Sequence, residues 1–146
     1  MLLTDEKKQF IKRVYNICDN VYNTLGCGYN ETVYQNAVST ELHLLNIHHD
    51  KEATVPIVYK GHNVGFVRMD IVVRGYLPVV IEMKSIANIR QEERYQLIRY
   101  LNITNCDIGF LINYPSTKTY QIEVIIKEGE KYYKYDMNSG EMVEIA

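Results

Sequence analysis

The chain has no apolar run approaching the roughly 20 residues that a membrane-spanning helix requires, which excludes a helical membrane protein. Its opening MLLTDEKKQF places acids and lysines where a secretory leader needs an unbroken apolar stretch. An intracellular protein, cytoplasmic or nuclear and not secreted, is therefore expected. Cysteine is scarce: Cys18, Cys27 and Cys106 are odd in number, widely separated and without CxxC spacing, so reduced and mostly buried thiols are expected. His43, His48, His49 and His62 form no HExxH pairing, and zinc is not suggested. There is no linker, repeat or low-complexity tract. An excess of basic charge is also missing, since 16 Lys and Arg stand against 18 Asp and Glu for a net charge of −2 and a pI near 6.1. The chain as a whole thus carries no electrostatic footprint for nucleic acid.

What is present describes an ordinary globular protein. A length of 146 residues with 47% hydrophobic and 23% charged content suits one domain, residues 1–146, with one real core. The charge is unevenly spread. Positions 66–100 hold Arg68, Arg74, Lys84, Arg90, Arg94 and Arg99 against four acids, so this stretch is net positive while the rest is net negative. If a divalent ion neutralised Asp70 and Glu82, the local field would favour a phosphate backbone.

Residues 4–25 place Phe10, Val14, Ile17, Cys18, Val21 and Leu25 at helical spacing, with Thr4 as N-cap. Gly26 and Gly28 end this helix, and Asn30 caps a second through Leu45. From Ala53 the period changes to that of strands: ATVPIVY, a GHN turn, VGFVRMDIVV, an RGYL turn and PVVIEMK form a three-stranded antiparallel meander. Residues 89–105 are helical and DIGFLIN is a buried strand, so a crossover helix leads to a parallel fourth strand. Residues 119–145 give two or three extra C-terminal strands that extend the sheet or form an appended hairpin. Tyr132, Tyr133 and Tyr135 there suit either a subunit interface or packing within their own domain.

Charges inside apolar strands call for a partner or a metal. Glu82 and Lys84, one residue apart in a strand, leave the same face about 7 Å apart, while Ile81 and Met83 take the other. Asp70 lies on the preceding antiparallel strand. Two carboxylates and an ammonium then converge, a donor set suited to Mg²⁺ or Mn²⁺, which keep waters and accept substrate phosphate oxygens. Such a site supports phosphodiester hydrolysis, with Lys84 orienting water or neutralising charge on the phosphoryl oxygens. On the following helix Gln96 and Tyr100 share a face, and Tyr100 or Arg99 can reach a phosphate. The ordinary alternative for an ExK triplet is a half-exposed strand with a surface salt bridge.

GYNETVYQNAV, with Gly28, Glu31 and Tyr34 at the motif positions, resembles the signature of the GxxExxY proteins of the PD-(D/E)XK nuclease superfamily. The resemblance runs on through the Asp70 strand, IEMK as the E-x-K element, YQLIRYL with Gln96, and FLINY, covering about residues 10–115. Met69 stands where the superfamily pattern has proline, and the strands after Tyr120 go beyond the family core.

The resemblance implies an α/β fold with a restriction-endonuclease-like core and a site built from Glu31, Asp70, Glu82, Lys84 and Gln96. Asp70 and Glu82 are expected as metal ligands, Glu31 as an additional ligand from the early helix, Lys84 as catalytic cation and Gln96 as water or phosphate positioner. Tyr34 is expected to pack. Arg68, Arg90, Arg94, Arg99 and Tyr100 are candidate DNA contacts. A Mg²⁺- or Mn²⁺-dependent nuclease acting on DNA, as a homodimer and without organic cofactor, is the leading expectation. The alternative is an inactive nuclease-fold protein serving as a DNA-binding or structural homodimer.

Overall fold

The computed structural model describes residues 3–75 and 77–146; Met1 and Leu2 of the opening stretch, and Tyr76 of the expected RGYL turn, lie outside the described residues. Helix α1 spans Asp5–Leu25. Thr4 caps it by accepting the Lys7 N–H at 3.3 Å, and Asp5 and Glu6 face the positive end of the helix dipole. Its buried stripe is Ile11, Val14, Ile17, Cys18 and Val21, with Phe10 and Leu25 packed at the margin. The link to α2 requires a φ of +107° at Gly28, a region closed to residues with a Cβ. Helix α2 (Glu31–Leu44) is capped by Asn30, whose Oδ1 accepts the Val33 N–H.

Strands β1 (His49–Tyr59) and β2 (His62–Val73) form a long hairpin closed by Lys60-Gly61, with φ of +48° and +79°. Two positive φ values make a tight turn of the kind that matches strand twist. The turn is therefore shorter and one residue earlier than the expected GHN. Strand β1 also begins four residues before Ala53, because pairing with β2 recruits the polar stretch His49–Glu52, which has no apolar alternation to reveal it.

Strand β3 (Val79–Lys84) pairs antiparallel with β2, helix α3 (Gln91–Thr104) crosses over, and β4 (Ile108–Asn113) lies parallel to β3. Strands β5 (Gln121–Glu128), β6 (Lys131–Tyr135) and β7 (Met142–Glu144) continue antiparallel, so the C-terminal segment extends one seven-stranded sheet in sequence order. Tyr132 and Tyr135 are buried against that sheet, which uses two of the three tyrosines considered for an interface.

The sheet separates two apolar layers. On one face α1 and α2 cover Ile71, Val73, Val79, Ile81, Met83, Phe110 and Ile112; on the other α3 covers Met69, Val72, Val80, Leu111 and Ile125. Strands β3 and β4 are sandwiched between both layers, which explains their nearly continuous apolar sequences. Helix α3 approaches β4 closely at Gly109, where a Cβ would lie 2.9 Å from Leu97 Cδ1. No helix among the described residues is long and apolar enough to cross a membrane.

Candidate active site

The pairing of β2 with β3 runs from Val73↔Val79 to Ile71↔Ile81 and stops there. At the next position side chains replace the backbone ladder. The Asp70 N–H donates to Glu82 Oε2 at 2.7 Å, and the Met83 N–H donates to Asp70 Oδ2 at 2.7 Å. The two strands part around a pair of carboxylates. Asp70 is half-buried, and Glu82 is only 4% exposed on the α3 side of the sheet, as the alternation from Val80 dictates.

Burial sets the electrostatics of this pair. Loss of water raises the Asp70 carboxyl, and the charge of Glu31 raises it further, while the Met83 N–H, Lys84 and Arg68 oppose the shift. Glu82 is pushed up to about 8, first by burial and then by the adjacent Asp70 charge, against the Asp70 N–H and Lys84. Neither carboxylate forms an ion pair in contact with a cation among the described residues. A buried and a half-buried acid that repel each other, with one oxygen of each held by a backbone N–H, form a donor pair that a cation would stabilise.

Lys84 follows two residues after Glu82 on the same face, and its Nζ donates to Gln96 Oε1 at 2.8 Å. Gln96 also hydrogen-bonds the Tyr100 hydroxyl, whose pKa is raised by burial and by the charges of Glu82 and Asp70. Glu31, at the start of α2, reaches the end of β3 from the opposite layer and accepts the Ser85 N–H at 3.2 Å. Its charge bears on both carboxylates, but it stays exposed. Among the described residues, no three His, Cys, Asp or Glu side chains gather into a ready-made ion cage. The donor set nonetheless fits Mg²⁺ or Mn²⁺, which are held through one or two carboxylates and fill the rest of their shell with water and phosphate.

A polar cleft of about 380 Å³ opens beside these groups, lined by Glu31, Lys84, Ile86, Arg90, Glu92, Glu93, Gln96 and Arg99. The candidate contacts divide by what they touch. Arg68 and Arg99 are exposed near the carboxylates and the cleft. Arg90 caps α3 through Glu93 and meets Glu92 at 2.6 Å, which ties it to the helix start. Arg94 departs from the expected phosphate role, because both its Nε and Nη2 grip Glu123, at 2.6 and 2.7 Å. Tyr100 departs as well: only 8% exposed, it packs behind the carboxylates. Tyr34 is fully buried, stacks on Tyr114 at 4.2 Å and donates to the Gly26 carbonyl, a packing role.

Reading the sequence missed the residues that shape the segment after Lys84. Asn113, fully buried, accepts the Ile86 N–H and donates to the Ile86 carbonyl, each at 2.9 Å, and also donates to Gln121. Ser85 donates its hydroxyl to the Tyr114 carbonyl at 3.2 Å. A polar asparagine ending the otherwise apolar run GFLIN was the available signal, since a buried amide requires partners.

A mixed sheet with helices on both faces, and two carboxylates with a lysine where its central strands part, defines a restriction-endonuclease-like core. A sequence profile of the PD-(D/E)XK nuclease superfamily matches residues 8–125, and the chain belongs to that superfamily. Among solved structures, the crystal structure of SSO0001 matches with a TM-score of 0.51 and 18% identity, over 68% of this chain and 50% of that one. The chain thus spans half the length of SSO0001, and the likeness is one of fold. Archaeoglobus fulgidus Hjc, a Holliday junction resolvase from an archaeal hyperthermophile, matches with a TM-score of 0.42 and 15% identity, over 77% of this chain and 94% of that one. No curated protein matches the chain.

Proposed function

We propose that the protein is a Mg²⁺- or Mn²⁺-dependent nuclease that hydrolyses phosphodiester bonds in DNA. The observation that carries this reading is the Asp70–Glu82 carboxylate pair, buried where β2 and β3 part, with Lys84 two residues further along the same face. A divalent ion held by Asp70 and Glu82 supplies positive charge that polarises a phosphate and acidifies water.

The remaining work falls to the chain. Lys84, steadied by Gln96, presents its ammonium to the charge that develops on the phosphoryl oxygens. Gln96 in turn is set by Tyr100, so the lysine is the outer end of a hydrogen-bonded row rooted in the α3 core. Glu31 holds the Ser85 backbone and adds negative charge at the mouth of the site, the position of an outer ligand.

The test is cleavage of single-stranded, duplex, flap and junction DNA with Mn²⁺ or Mg²⁺. Cutting of at least one form is expected, and Lys84→Ala should lose it while retaining the wild-type circular dichroism spectrum. Binding without cutting on all four forms would overturn the catalytic reading in favour of a binding protein.

A further inference from the structure

The β1–β2 hairpin reaches well beyond the strands that brace it. Among the described residues only 71–73 of β2 pair with β3, so the strand segments between Ala53 and Met69 have no ladder partner but each other. The arm has two unlike faces. Ala53, Val55, Val67 and Met69 turn toward the α3 layer and are buried or half-buried. The opposite face carries Thr54, Pro56, Phe66 and Arg68, all exposed, with Phe66 63% accessible.

That exposed face lies on the side of the sheet away from α3 and comes within two residues of Asp70, whose carboxylate sits where β2 and β3 part. Arg68 and Phe66 lie two and four residues from Asp70, about 7 and 13 Å along the strand, and the Arg68 charge is already felt at Asp70. From Ala53 to Met69 the arm holds Lys60, Arg68 and His62 and no acid, although the chain is net negative. Addition of a further strand along β1 is obstructed, since Pro56 has no N–H and Glu52 takes a φ of +52° that breaks the regular edge. A large aromatic ring held in water beside an arginine, on a basic arm leading from a phosphodiesterase-type site, matches the stacking platform of single-stranded nucleic-acid binding.

We infer that this arm seats the unpaired strand next to the scissile phosphate, Arg68 taking the neighbouring phosphate and Phe66 stacking on an exposed base. The inference rests on the nuclease reading above and specifies its substrate class: DNA with unpaired bases adjoining the cut, because a base within a duplex offers its face to its neighbours and not to Phe66.

The experiment uses the full chain carrying Lys84→Ala, so that binding is measured without cleavage. The probe is a short oligonucleotide with a fluorescent adenine analogue placed at successive positions, presented single-stranded and as a duplex. The single strand should bind more tightly, and the analogue at one position should be quenched by stacking. Phe66→Ala should weaken single-strand binding by about tenfold and abolish the quenching. Phe66→Trp should restore both, and Arg68→Ala should lower the salt slope of binding by about one ion. Equal binding of both forms with no effect of Phe66→Ala would overturn the inference. So would a Phe66→Ala protein that loses a dimer in sedimentation but binds DNA unchanged, since the patch would then join two copies of the chain. These outcomes are separate from cleavage with Mn²⁺ by the Lys84-containing protein. Cutting without any role for Phe66 would keep the nuclease reading, whereas Phe66-dependent binding without cutting would keep the arm and remove the nuclease.

Discussion

Glu82 and Glu123 occupy matching places on one sheet. Each lies beside Leu111, Glu82 across the parallel pair and Glu123 across the antiparallel one, and each is buried beneath α3. Their surroundings differ by which turn of the helix overlies them. Glu123 receives the Arg94 guanidinium bidentately, with Lys134 at 3.7 Å. Glu82 receives another carboxylate, a backbone N–H and a lysine whose ammonium is turned to Gln96. One acid is neutralised by the protein and serves the fold. The other is left with a deficit of positive charge, and that deficit is what the proposed metal-binding role of Glu82 rests on.

Cleavage is where the contrast should be greatest. Asp70→Asn or Lys84→Ala is expected to lower the single-turnover rate by about 10²–10³-fold or more, whereas Arg94→Ala, assayed where it remains folded, should stay within a few-fold of wild type. Comparable losses in both would erase the distinction.

The next effect is in the pH dependence of stability. Because burial raises Glu82 to about 8 and raises Asp70 above its ordinary value, this pair holds more protons in the native state than in the unfolded chain as pH moves from the usual carboxylate range toward about 8. Stability of the metal-free protein therefore falls as pH rises through that window, by up to a few kcal/mol. Thermal melts in a chelating buffer should show Tm dropping from pH 5 to pH 8. Mn²⁺ should reverse the drop, and Glu82→Gln should flatten it. A metal-free Tm that rises over the same range would contradict the pair's proposed strain.

Removing Arg94 strands a buried carboxylate, and Arg94→Ala is expected to cost about 3 kcal/mol in urea denaturation, more than Arg94→Leu combined with Glu123→Leu. If the double variant is the less stable, the pair holds the fold by more than mutual neutralisation.

The smallest expected change sharpens the role of α3 itself. Gly109→Ala places a methyl against Leu97 and Leu101 and should cost about 1–2 kcal/mol. The same shift of α3 should raise KM or lower kcat several-fold, because Gln96 rides on that helix. Lost stability with unchanged kinetics would show that Lys84 holds its position without the helix.

Much of this was legible in the residues. Thr4 and Asn30 announce the helix starts through their side-chain oxygens, and the period-two pattern assigns Glu82 and Lys84 to one face and Ile81 and Met83 to the other. Other features were not. The turn at Lys60-Gly61 and the polar opening of β1 have weak local signals, since only pairing with β2 makes them strand and turn. The fates of Arg90, Arg94 and Arg99 could not be separated by spacing along α3. What distinguishes them is what each one meets: Arg90 the acids of its own helix start, Arg99 the cleft, and Arg94 a strand residue, Glu123, from a segment 29 residues away.

By itself the sequence determined the order of helices and strands, the faces of each strand and the identity of the residues that carry charge into the core. These follow from dihedral preferences, capping chemistry and the burial of apolar side chains, all of which act over a few neighbouring residues. Only the tertiary structure decided that β2 and β3 part at Asp70 and Glu82, that Glu31 reaches Ser85 from the opposite layer, and that Arg94 is spent on Glu123. Those are outcomes of packing distant segments into one sheet, where register and burial, not local propensity, choose which charges meet.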